Sequence, residues 1–151
     1  MQTLNHFIPY LSFNGNCAEA MRFYERVLEG KLEALLSYEG SPMAAEMPPM
    51  SPEMGKRIMH AYLTVQDDSG HSALMAGDHA HPSPYEAMKG FTLTLNYTTV
   101  ARATEVFNAL AEGGAVTMPM SPAFWAKTFG MCTDRFGTPW IVNGETIPLA
   151  T

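Results

Sequence analysis

The back half of this chain repeats its front half, and that constrains its fold more than any other feature. Residues 10–31, YLSFNGNCAEAMRFYERVLEGK, lie without a gap over residues 94–115, TLNYTTVARATEVFNALAEGGA. Leu11 falls on Leu95, Phe13 on Tyr97, Phe23 on Phe107 and Gly30 on Gly114. Each copy reads as strand, short polar turn, amphipathic helix, glycine stop and further strand. Solenoids need at least three units to bury their faces, so two copies point instead to a pseudo-symmetric body. Halves of that kind, meeting across a shared cleft, offer a natural ligand site.

With 151 residues the chain is expected to form one domain with a sizeable core. Apolar residues at 46% and charged residues at 16% fit an ordinary globular protein. A net charge of −6 and nine scattered Lys and Arg argue against a nucleic-acid partner, which needs a clustered basic face. No run is long and apolar enough for a membrane helix, and MQTLNHFIPY lacks a signal pattern. Cys17 and Cys132 give neither a disulfide framework nor a zinc set. The expected location is the cytoplasm.

Along the chain, Phe7–Phe13 alternates as a strand, and Asn16 is placed to cap a helix carrying Cys17, Ala20, Met21, Tyr24, Val27 and Leu28. Gly30 closes that helix and Leu32–Tyr38 is a strand. Residues 39–56 are rich in Pro, Gly and Met and read as a loop. Strands are expected at Arg57–Val65 and Ser72–Gly77 around a turn at 67–70, then a linker over Asp78–Lys89. The second half repeats the order: strand Phe91–Tyr97, a helix through Val100, Ala103, Val106, Phe107 and Leu110, and strand Ala115–Met118. A hairpin follows around Asp134-Arg135-Phe136-Gly137. The fold class is therefore α+β: two βαβββ modules, approximately 5–78 and 90–147, within a single domain spanning 1–151. Each mixed sheet is covered by a helix on one face, and the other faces build a concave cleft.

That order, with FNGNCAEAMRFYERVL early and TDRFGTPWIVN late, resembles the vicinal oxygen chelate superfamily. This group holds glyoxalase I, bleomycin-resistance proteins and extradiol dioxygenases. YLSFNGNCAEAMRFY, IMHAYLTV, FTLTL and FWAKTFGMCTDRFGTPW are most similar to its PhnB-type branch, often labelled 3-demethylubiquinone 3-methyltransferase-like. The label does not fit the residues. A Rossmann-type methyltransferase opens a helix with its Gly-rich turn, whereas Gly113-Gly114 closes one.

The resemblance implies a divalent ion held by His and Glu from the first and fourth strands of each half. Aligned by the helix-packed pairs, those positions fall on Ile8, Thr92 and a site near Ile141, and Ser72–Gly77 holds no acid before Asp78. Neither hydrocarbon nor a lone hydroxyl replaces imidazole and carboxylate, so no metal and no other cofactor are expected. His71, His79 and His81, with Asp67, Asp68 and Asp78, read as solvated turn residues. His6 shares strand parity with Ile8 but stands at the start of the chain.

Strand parity suggests which residues line the cleft. Met59, Ala61, Leu63 and Val65 form a helix-facing set, leaving Ile58, His60, Tyr62 and Thr64 on the opposite face. His60 is then either a core histidine or a pocket acid–base group, and it is the one catalytic candidate. Tyr10, Tyr62, Thr92, Thr94, Phe124, Trp125 and Phe129 are the candidate ligand-binding residues, the last three forming an aromatic cluster in an irregular segment. The methionines at 43, 47, 50 and 54 suit a lid or an interface. Cys17 at a helix start is either an activated thiol or a small buried residue, and Trp140 reads as core. The expected function is binding of a small apolar or aromatic molecule without the metal site. The alternative is a lyase, isomerase or dioxygenase-like enzyme using a displaced metal or His60. The resemblance also implies a homodimer.

Overall fold

The computed structural model describes residues 3–4, 6–68 and 70–149, with the side chain of His71 left aside. The chain divides into compact units spanning residues 1–85 and 86–151. In the first, β1 (Tyr10–Phe13), α1 (Cys17–Val27), β2 (Lys31–Ser37), β3 (Ile58–Asp67) and β4 (Gly70–Asp78) form a sheet ordered β1-β4-β3-β2. Strand β1 runs parallel to β4 and the other neighbours are antiparallel. In the second, β5 (Leu93–Tyr97), α3 (Val100–Ala111), β6 (Ala115–Ser121), β7 (Ala126–Thr133) and β8 (Pro139–Thr146) repeat the arrangement as β5-β8-β7-β6. The α+β class and the doubled βαβββ order are present as expected. The internal repeat is thus a repeat of topology.

Each helix forms because its apolar stripe has a sheet to cover. Ala20, Met21 and Tyr24 of α1 are buried with Leu11, Phe13, Ala61, Leu63, Leu74 and Ala76 of the strands. Ala103, Val106, Phe107 and Leu110 of α3 are buried with Cys132, Trp140 and Val142. The repeat-matched glycines have a common cause. A Cβ on Gly30 would lie 2.6 Å from the Thr64 carbonyl oxygen, and one on Gly114 would lie 2.2 Å from that of Thr133. Each lets the chain leaving its helix pass against the sheet. The left-handed turn itself falls one residue earlier, at Glu29 (φ 55°) and Gly113 (φ 76°), so Gly30 is not the residue that reverses the helix.

Several boundaries differ from expectation. Residues 39–56 are not all loop: a 3₁₀ turn covers Ala44–Glu46 and α2 spans Pro52–Lys56. Ser51 caps α2 by accepting from the Met54 amide, with Pro52 at the first turn where a missing N–H costs nothing. Phe129 lies in β7 rather than in an irregular segment. His71 and Asp67 belong to strands β4 and β3 rather than to a turn, and Ser69 lies outside the described residues. Ile58 is buried where His60 is half-buried, so the two do not share one level of exposure as unbroken parity implies. The pairing slips between Leu36 and Ser37, where His60 and then Ile58 are the partners, and such a bulge resets strand parity.

Candidate functional site

In the first unit, Ala61 and Leu63 are fully buried on the α1 side, while His60, Tyr62 and Thr64 point to the other face and are half-buried. Register brings Leu36 beside His60, and Met75 beside both Tyr62 and Tyr10. Tyr10 stacks on His60, with ring centroids 5.8 Å apart and planes inclined by 23°. Its hydroxyl donates to the Met59 carbonyl at 3.1 Å and lies 3.4 Å from His60 Nδ1. Partial burial, reinforced by Cys17 and Tyr38, raises the Tyr10 pKa above its ordinary value. The hydroxyl therefore keeps its proton at neutral pH. A Cβ on Gly77 would stand 3.0 Å from that oxygen, so glycine makes the room it occupies.

In the second unit, Thr94 and Asn96 of β5 pair with Ile141 and Asn143 of β8, and Phe129 and Met131 of β7 pair with the same two. These residues share the face away from α3. Trp125 sits between Phe124 and Phe129, at centroid distances of 4.8 and 4.9 Å in edge-to-face geometry. Its indole N–H donates to Asn143 Oδ1 at 3.0 Å, and Asn143 Nδ2 donates to Asn96 Oδ1 at 2.9 Å. The Trp125–Asn143–Asn96 chain fixes the orientation of both amides, leaving the Asn96 amide nitrogen as the donor at its end. Phe129 is buried, Trp125 half-buried, and Phe124 76% exposed. Thr94 is exposed in β5, and Thr92 is half-buried just before that strand.

The acids at the ends of β4 and β8 serve the helices. Asp78 is buried, not a solvated turn residue. Its Oδ1 accepts from the amides of Gly15 and Cys17 at 2.8 and 3.0 Å, and its Oδ2 accepts from Ile58 at 2.8 Å. This carboxylate caps α1, because the Asn16 side chain makes no capping bond. Glu145 likewise accepts from the Val100 amide at the start of α3, and Lys127 on its other oxygen helps hold its carboxyl below the ordinary range. At Ile8, Thr92 and Ile141, the positions to which the resemblance assigns metal ligands, the chain carries hydrocarbon or a lone hydroxyl, a donor set that does not fit such an ion. Among the described residues, no three of His, Cys, Asp and Glu converge on one point.

The remaining candidates are placed as follows. His79 and His81 lie in the segment after β4, each contacting Ser83, with the His79 ring edge-on to Tyr85 at 5.9 Å. Cys17 is buried, and burial with the nearby Asp78 pushes its thiol up to about 12. The small buried role is the one the surroundings support, since desolvation and a neighbouring carboxylate both disfavour the thiolate. Of the loop methionines, Met43 is exposed and the other three half-buried. Trp140 is fully buried, its indole N–H donating to Asp134 Oδ2 at 2.8 Å. The asparagine chain behind Trp125 was missed in the sequence, although Asn96 and Asn143 sit in strands at parity with Thr94 and Ile141.

With this doubled sheet topology and its two helix-free faces, the chain belongs to the Glyoxalase/Bleomycin resistance protein/Dioxygenase superfamily, whose family model matches residues 3–142. It is 35% identical over 140 residues to Protein YjdN of Escherichia coli K12, covering 89% of this chain and 92% of that protein. The crystal structure of protein PA1353 from Pseudomonas aeruginosa is 47% identical, with a TM-score of 0.83, covering 94% of this chain and 98% of that one. A Bacillus cereus PhnB protein, described as a putative 3-demethylubiquinone-9 3-methyltransferase, shares the fold at 23% identity and a TM-score of 0.69, covering 93% and 99%. That description stays with that protein.

Proposed function

We propose that this chain binds a small apolar or aromatic molecule on the helix-free faces of its sheets, without a family metal. The observation carrying this reading is Trp125, a half-buried aromatic fixed by an oriented amide chain and flanked by two further rings. A flat ligand stacking there gains apolar contact at little ordering cost, because the indole is already held. Thr92 and Thr94 supply further contacts in the second unit, and Tyr10 and Tyr62 supply contacts on the first unit's own helix-free face in this reading. The protein works as a homodimer in the cytoplasm, with neither nucleic acid nor membrane as partner. Among the described residues, no helix is long and apolar enough to cross a membrane. Calorimetric titration with a panel of neutral aromatic molecules tests the ligand reading. At least one should bind in the presence of a chelator and weaken tenfold or more in Trp125→Ala.

A second reading, an isomerase or lyase using His60 as acid–base, is favoured by one observation: the imidazole stands on the helix-free face and is stacked against a phenol. His60→Leu keeps apolar bulk and removes the proton-transfer group. Turnover lost with binding retained would select the enzyme.

A further inference from the structure

The Tyr10 hydroxyl has one proton and two neighbours. The Met59 carbonyl oxygen, 3.1 Å away, can only accept, so it takes that proton. The remaining lone pairs face His60 Nδ1 at 3.4 Å, and a hydrogen bond there requires Nδ1 to carry the hydrogen. The order is then His60 Nδ1–H to Tyr10 Oη, and Tyr10 Oη–H to Met59 carbonyl. Nothing else on the ring competes: among the described residues, no hydrogen bond reaches Nε2. The arrangement is pinned from behind by Gly77, where a Cβ would crowd both the hydroxyl (3.0 Å) and the Met59 carbonyl (2.9 Å).

We infer that Tyr10 is a positioning residue that holds neutral His60 in its Nδ1–H tautomer and turns Nε2, as a bare acceptor, toward the ligand. This rests on the reading of the first unit's helix-free face as a ligand-binding face. It deepens that reading by naming the chemistry His60 selects. The ligand brings an O–H or N–H group to Nε2, and in the enzymatic case Nε2 is the atom that removes the proton. The raised Tyr10 phenol keeps the hydroxyl proton that the relay needs.

The test is nitrogen NMR of the ligand-free, full-length protein at a pH where His60 is neutral, its resonances assigned by their loss in His60→Gln. The expected spectrum shows a protonated Nδ1 and an unprotonated Nε2. In Tyr10→Phe, which keeps the ring and removes only the hydroxyl of a residue 54% exposed, the pattern should move toward protonated Nε2. A protonated Nε2 in the unaltered protein would overturn the inference. So would an Nδ1–H pattern unchanged by Tyr10→Phe. Because no ligand is added, either failure is distinct from a failure to bind aromatic molecules.

Discussion

At the scale of single residues, the two cysteines and the buried acids make the sharpest predictions. Burial pushes Cys17 up to about 12 and Cys132 up to about 11, from an ordinary 9.0. In the unfolded chain these thiols ionise near their ordinary value, while the folded ones stay protonated. Their contribution to stability is therefore full below pH 9 and is lost as pH rises from there toward 11–12. Urea unfolding midpoints should fall over that window, and should fall less in Cys17→Ala. Native thiols should also resist iodoacetamide at neutral pH and react once unfolded. Asp78 satisfies three backbone amides at once, so Asp78→Ala should cost about 3 kcal/mol in denaturant titration. This role was hidden in the sequence. Asp78-His79-Ala80-His81 looks like a polar turn, and only the parallel pairing of Phe13 with Asp78 shows the acid lying at the start of α1.

At the scale of elements, both long helices were legible because their apolar stripes repeat at helical spacing, but their caps were not equally so. Thr99 accepts from the Arg102 amide at 3.1 Å, whereas Asn16 caps nothing with its side chain. Thr99→Ala should cost about 1 kcal/mol, and Asn16→Ala should be close to neutral in the same measurement. A second pair tests the repeat. Gly30→Ala and Gly114→Ala should each lower stability by about 2–3 kcal/mol, since each new Cβ meets a strand carbonyl. A neutral result at either would mean the neighbouring strand yields. Helix α2 was legible but unread: Ser51-Pro52-Glu53 is a helix start, masked by the prolines and glycines around it. The bulge that buries Ile58 was not legible, because parity counting assumes an unbroken register.

At the scale of the whole molecule, the doubled pattern in the sequence carried the fold, since two sheets of identical strand order follow from two copies of one strand–helix–strand signal. The site was legible only in part. Trp125 and Phe129 stood out as aromatics, but the polar chain from Trp125 through Asn143 to Asn96 joins residues far apart in sequence and needed the β5–β8 register to see. The proposed homodimer should sediment as a dimer at micromolar concentration, and a stable monomer there would contradict it. The central claim is metal-independent recognition of a flat apolar molecule at Trp125, and native mass spectrometry of chelator-treated protein tests it most directly. With a panel of small aromatic molecules, at least one complex of one ligand per chain should survive the chelator and disappear in Trp125→Ala. Binding that the chelator abolishes and a divalent ion restores would contradict the account.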